Sequence, residues 1–222
     1  MAQNNALNKK SQELTVDPGA SGDSFVQFDI NATGEFRIGV DDDAADTFKI
    51  SQGSALGTND TFVMTSAGER RMPLQPSFLA YLGTTDSDVT GDSTTYTLGS
   101  GNALTEIFDQ NGDFVTTGTF TAPVDGIYHF FASISYSGLL STHTSAEFTI
   151  RARGGSFYGQ GYNPFAIMNN SDTVFSSFDL IVDLDLGDTA ALQIRVIGGT
   201  KVVDIIGSST RVQSAFSGFL AC

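Results

Sequence analysis

Residues Asn111–Phe130 read NGDFVTTGTFTAPVDGIYHF, and this stretch decides the fold. Asn111-Gly112-Asp113 is a turn signal, and aromatic and β-branched residues follow it directly. Gly118 and Gly126 suit tight turns, and Pro123 suits the edge or start of a strand. Tyr128 and Phe130 stand two apart, so in an extended chain they share one face, with His129 on the other. Nothing in the stretch has helical spacing. It reads as strand, turn, strand, turn, strand.

Working outward, the same pattern fills residues 73–222. Strands are predicted at Ser77–Leu82, Thr94–Leu98, Asp113–Thr117, Gly126–Tyr136, Ala146–Arg153, Thr173–Leu186, Ala190–Ile197, Val202–Ile206 and Val212–Leu220. Gly, Asp, Asn and Ser clusters punctuate them. No amphipathic helix stands out, so the region is expected to be an antiparallel all-β sandwich or barrel. Pro73 and Pro76 mark a boundary before it. Residues 23–72 hold shorter alternating runs (Val26/Phe28/Ile30, Phe36/Ile38/Val40, Phe48/Ile50, Phe62/Met64), broken at Asn31–Gly34, Asp41–Asp43 and Gly53–Asp60. So few apolar residues cannot bury themselves in a monomer, which favours an oligomeric β-rich shaft, the alternative being a small β-extension folded onto residues 73–222. Residues 1–22 are polar, carry Lys9 and Lys10, and are expected to stay extended unless a partner orders them. The expected organisation is therefore an attachment segment at 1–22, a shaft at 23–72 and a head at 73–222.

Composition narrows the function. The 222 residues include 25 acidic and 11 basic side chains, for a net charge of −14. The excess is spread: residues 1–72 hold 11 acids and 6 bases, and residues 73–222 hold 14 and 5. Such a chain is not expected to track a nucleic-acid backbone, where Lys and Arg supply the affinity, or to bind an anionic membrane. No apolar run approaches the ~18 residues of a membrane span. A single cysteine, Cys222, rules out an intrachain disulfide framework and any cysteine-built zinc site. The first residues, MAQNNALNKKSQEL, show no apolar h-region, so no secretory signal peptide is expected.

The stretch at 111–130 resembles the signature of the C1q globular domain, T-G-x-F-T-x-P-V-x-G-x-Y-x-F preceded by an aromatic strand. Phe114, Gly118, Phe120, Pro123, Gly126, Tyr128 and Phe130 stand at its positions. Pro76-Ser-Phe-Leu-Ala resembles the opening strand of that family. Leu186-Gly187-Asp188 and Phe216-Ser-Gly218-Phe219-Leu resemble its closing landmarks. Two departures are local: Ala132 stands where an aromatic is common, and Phe114 is one residue closer to Phe120 than usual. The resemblance covers 76–220. It implies a ten-stranded jelly roll of the C1q/TNF kind, assembly as a homotrimer, and a binding module without catalysis. Some family members bind calcium, but no matching ligand cluster is present here, and no metal or cofactor is expected.

Polar segment, β-rich shaft and small β head also resemble the order of tail fibres of tailed bacteriophages. The segment Phe48–Asp60 is similar to shaft sequences that precede C1q-like heads. A virion component leaves by lysis and needs no export signal, which agrees with the N-terminus. The expectation is a fibre joined through its N-terminus to a tail or baseplate protein. Its head would recognise a host surface glycan or protein, and it would be located in the virion and outside the cell after lysis. The alternatives are a trimerisation, decoration or baseplate unit without receptor binding, or a cellular C1q-like lectin.

Catalytic motifs are missing. Neither G-x-S-x-G nor H-E-x-x-H occurs, and there are only two histidines. His129 reads as a plain strand residue and His143 as an exposed loop residue. Asp41-Asp42-Asp43 reads as a solvated turn rather than a cation site. Asp109, Asn111 and Asp113 imitate the opening of a calcium-binding loop, but Phe114 stands where glycine is required and Phe120 where the closing glutamate belongs. Asp183 and Asp185 read as the wet face of a strand. Asn31, Asn59 and Asn169 match the glycosylation pattern by chance in so polar a chain. Gly154–Gly161 reads as a glycine-rich aromatic loop that either stacks on sugar rings or packs on a trimer neighbour. The expected receptor contacts are Tyr96, His143, Phe157, Tyr158 and Tyr162.

Overall fold

A computed structural model describes Val16, Gly19 and residues 21–29, 36–53 and 55–221, without the side chains of Ser156 and Phe157. It divides into two compact units, Met1–Leu74 and Gln75–Cys222. The attachment segment expected at 1–22 lies almost wholly outside the described residues, as do the turn expected at Asn31–Gly34 and Cys222.

In the first unit, β1 (Ser24–Phe28), β2 (Phe36–Asp41), β3 (Thr47–Gln52), β4 (Asp60–Met64) and β5 (Arg70–Arg71) form one antiparallel sheet in chain order. Its register explains its two faces. Val26 lies opposite Ile38, Ile38 opposite Ile50, and Ile50 opposite Phe62. Val40 lies opposite Phe48, Phe48 opposite Met64, and Phe28 opposite Phe36. These apolar residues share one face because side chains alternate along each strand. Phe28, at 57% exposure, and Phe36 remain exposed on it. The other face is ionic. Lys49 Nζ lies 2.7 Å from Asp41 Oδ2 and 3.1 Å from Asp60 Oδ2, all three side chains nearly buried. Asp60 also accepts from the Ser51 hydroxyl at 2.6 Å and the Gly57 N–H at 2.9 Å. This corrects the reading of Asp41–Asp43 as wholly solvated: Asp42 and Asp43 are exposed, whereas Asp41 is a buried ion-pair partner. Taking a carboxylate out of water requires such a partner, and strand alternation alone does not reveal it.

Among the described residues the second unit holds thirteen strands in two sheets. They are β6 (Ser77–Tyr81), β7 (Asp86–Thr90), β8 (Thr95–Thr97), β9 (Thr105–Gln110), β10 (Phe114–Val115), β11 (Thr119–Thr121), β12 (Gly126–Ser137), β13 (Ser145–Ala152), β14 (Ser156–Tyr162), β15 (Thr173–Leu184), β16 (Thr189–Ile197), β17 (Val203–Ile205) and β18 (Ala215–Leu220). One sheet runs β10-β11-β16-β13-β14, with β8 also on β16. The other runs β7-β17-β12-β18-β6-β9, with β15 on the opposite edge of β12. All pairings are antiparallel. The architecture is an all-β, jelly-roll-like sandwich. The surplus over ten strands falls among short ladders: β8, β10, β11 and β17 have two or three residues each.

The core is aromatic. Phe78 stacks on Phe114 at 4.4 Å and on Phe120 at 5.2 Å, while Phe130 meets Phe120 and Phe216 at 5.5 Å. Each such pair adds about 0.5–1.5 kcal/mol beyond its buried area. Two signature glycines are explained by space. Gly118 has φ +94° and lies against the Leu98 backbone; Gly218 lies against the rings of Phe130 and Phe78, where no Cβ fits. Gly126 is different: it opens β12 opposite Leu184 rather than making a turn. Ala132 is fully buried, so the smaller residue is accommodated inside. The landmark around Gly187 and Asp188 closes against the turn containing Pro123, with Ala122 N–H donating to Asp188 O and Gly187 N–H to Ala122 O, each at 2.8 Å.

Candidate functional site

The five expected contacts do not form one surface. Tyr96 is buried, and its hydroxyl donates to Asp86, which also accepts from the Asn102 backbone and side-chain amides. Burial, then the bond to Asp86 and its charge, drive the Tyr96 phenol above its ordinary value. His143 has 0% exposure, contrary to its reading as an exposed loop residue. Its Nδ1 accepts from Leu140 N–H at 2.9 Å, which leaves Nε2–H to donate to Thr200 O at 3.0 Å. A buried imidazole with both nitrogens engaged is a loop clamp. Tyr158 packs partly buried against the core, and the Tyr162 hydroxyl lies 3.1 Å from that of the buried Tyr136. Phe157 pairs with Arg151 in register, but its side chain lies outside the described residues. The surface exposure that direct contact requires is thus absent at Tyr96 and His143. The glycine-rich loop expected here is instead an edge strand, β14, paired with β13 over its full length. Glycine lowered its apparent strand character, but pairing with a neighbour in the sheet outweighed that.

His129 lies half-exposed, 3.3 Å from Asp179 and edge-on to Phe219. It belongs to a surface that alternation within one strand does not reveal. On the outer face of the seven-stranded sheet, Phe131 pairs across to Ser217, Ser217 to Leu79, and Leu79 to Phe108. Beside that row, Ile181 lies opposite His129 and His129 opposite Phe219; Phe175 lies farther along β15. Ile181 is 66% and Phe175 61% exposed, and Phe108, Phe131 and Phe219 are exposed as well. The missed signal was an apolar residue on both faces of one strand: Tyr128 and Phe130 on one side of β12, Ile127 and Phe131 on the other. Phe219, a signature residue, is part of this outer face and not of the core.

The outer face of the six-stranded sheet is polar. Three rows cross it: Thr95, Arg195 and Glu147; Thr97, Gln193 and Thr149; Thr119, Ala191 and Arg151. Arg195 lies 3.5 Å from Glu147 and also donates to Ser93 O at 3.1 Å. Two depressions sharing Gln193 lie on this face, of about 420 and about 320 Å³. Elsewhere, Asp109 Oδ1 and Asp113 Oδ2 are buried without a hydrogen-bond donor. Burial, then the charge of Asp109, raises the Asp113 carboxyl. Among the described residues no group of three or more His, Cys, Asp or Glu is placed to hold a metal. Nor is any described helix long and apolar enough to cross a membrane.

Comparison with known proteins gives the same picture as the signature. The family model of the C1q domain matches residues 105–221, more than half of the chain. Similar solved structures include the globular domain of zebrafish complement 1qA protein, 20% identical, covering 67% of this chain and 98% of that one at a TM-score of 0.43. Murine APRIL, crystallised at pH 8.5, is 10% identical and covers 66% and 98%, also at 0.43. No curated protein matches the chain.

Proposed function

Given that the chain belongs to the C1q domain family, we propose that it is a homotrimeric, non-enzymatic binding protein: the fibre of a tailed-phage virion whose C1q head recognises the host surface. The apolar outer face of the seven-stranded sheet carries this reading. Covering a half-exposed Phe or Ile is worth about 1 kcal/mol at roughly 25 cal/mol per Å². Several such residues per copy offset much of the about 4–15 kcal/mol that association costs. Three copies packed around this face cover it and leave the polar sheet outward. The apolar face of the first unit suits the same stoichiometry, as a shaft. In this reading the N-terminal segment joins a tail or baseplate protein, and the virion is released by lysis. Three weak head sites then act together through avidity.

Deleting residues 73–222 in the particle tests this. Particles that assemble but no longer adsorb to the host support the binding role. Loss of trimers with adsorption unaffected where the protein is retained would reduce the head to a trimerisation clamp.

A further inference from the structure

From the histidine on the apolar outer face of the seven-stranded sheet we infer that assembly is linked to protons. Copies join more tightly at pH 6 than at pH 8, and His129 of each copy takes up a proton as they join. The inference rests on the reading of this face as the interface between three copies and names its regulation.

Position is the first argument. Ile181 lies opposite His129 on β15, Phe219 lies opposite it on β18, and Phe131 follows two residues on along β12. All three are exposed, and a neighbouring copy that covers them cannot leave the half-exposed His129 in water. The charges around it are few. From β15 comes Asp179, whose Oδ2 lies 3.3 Å from His129 Nε2. Asp183, opposite Ile127 on the same strand, already has Arg153 at 3.8 Å. From β18 come Phe219 and Ser217, and the row of His129 runs on to Ser77 on β6 and Gln110 on β9 without a charge. Among the described residues, His129 is the one group that forms an ion pair with Asp179.

Desolvation sets the sign. In a free copy the Asp179 side chain is 66% exposed, and water stabilises its charge whatever the state of the imidazole. In the assembly that water is lost. Beside a neutral imidazole the carboxylate is then a covered charge with one hydrogen bond. Beside an imidazolium the pair is neutral and the bond is charge-assisted. Imidazole is the side chain whose charge ordinarily changes between pH 5 and 8. Association therefore draws in protons, and the association constant rises as pH falls through that range. The other histidine, His143, lies buried among loops with both ring nitrogens bonded.

The test is fluorescence-detected sedimentation of the full-length protein over a dilution series at pH 8, 7 and 6. The association constant of the wild-type trimer is expected to rise at least about tenfold from pH 8 to pH 6, since each copy contributes up to one proton. His129→Gln keeps a donor beside the carboxylate but cannot take a charge, and it should abolish the rise. Asp179→Asn should reverse the sign: protonated His129 is then the lone covered charge, and association weakens towards pH 6. Both side chains lie outside the core, and circular dichroism checks each fold; if only one variant folds, that one decides. A wild-type constant that stays level or falls towards pH 6 overturns the inference. So does a rise that survives in His129→Gln, or an Asp179→Asn protein that follows the wild type. A chain that is monomeric at every pH contradicts the trimeric reading as well, whereas a trimer of constant strength removes only the proton linkage.

Discussion

The two units solve the same problem in opposite ways. In the second, the side chains of one sheet meet those of the other, and Phe78, Phe114, Phe120, Phe130 and Phe216 bury one another within a single chain. In the first, one sheet carries an apolar face that leaves Val26, Phe28, Phe36 and Val40 exposed, and an opposite face held by an ion-pair cluster around Lys49. One unit is stabilised by its own interior. The other draws on buried charge and on a surface that suits a second copy. A single small sheet with one apolar face is marginal in water, so the first unit should fail first under almost any perturbation.

The largest effect is expected at Lys49. Lys49→Ala leaves Asp41 and Asp60 buried without a cation, a loss of about 3–5 kcal/mol. Amide exchange should then show β1–β4 unprotected while β12, β13 and β16 keep their protection. Protection lost equally in both units would break the comparison. Phe130→Ala is the converse: a cavity among the rings costs about 3–5 kcal/mol and should lower the denaturant midpoint of the second unit alone. A smaller effect is expected from Tyr96→Phe, which removes one donor from the buried Asp86 while Asn102 remains, a cost of about 1–3 kcal/mol read as a fall in thermal midpoint.

Acid sharpens the contrast by sign. Burial favours protonation of Asp60, but its bonds to Ser51, Lys49 and Gly57 and the Lys49 charge outweigh it and hold the carboxyl below its ordinary value. Its support is therefore complete above an unfolded carboxyl value of about 3.9 and is lost as pH falls through the lower folded value. Asp113, raised by burial and by Asp109, behaves in the opposite way: its charged form is penalised in the folded state, and acid relieves that penalty. Amide exchange at pH 5 and pH 3 should show the first unit losing protection well before the second.

What was legible in the sequence followed from local rules. The period-two alternation of β12 and the signature from Phe114 to Phe130 were enough for the sandwich, because side-chain direction in a strand follows from position alone. The outer faces of the two sheets were not legible for the same reason. That Phe131, Leu79 and Phe108 form a row depends on register across three strand pairings, and the alignment of Thr97, Gln193 and Thr149 on register across two. Tyr96 and His143 looked like surface residues because they lie among Ser and Thr. Their burial depends on Asp86 and Thr200, 10 and 57 residues away in the chain. The Lys49 cluster likewise needs a loop to bring Asp60 back over β3.

The outer face of the seven-stranded sheet, with Phe108, Phe131, Phe175, Ile181 and Phe219 exposed on it, should be an interface between copies. Sedimentation equilibrium of the wild-type protein beside Phe131→Asp measures this directly. The wild type should have the mass of three 23.5 kDa chains, and Phe131→Asp, which sets a second carboxylate opposite Asp179 on this face without touching the core, should yield folded monomers. A monomeric wild type, or a trimer undiminished by the aspartate, would contradict it.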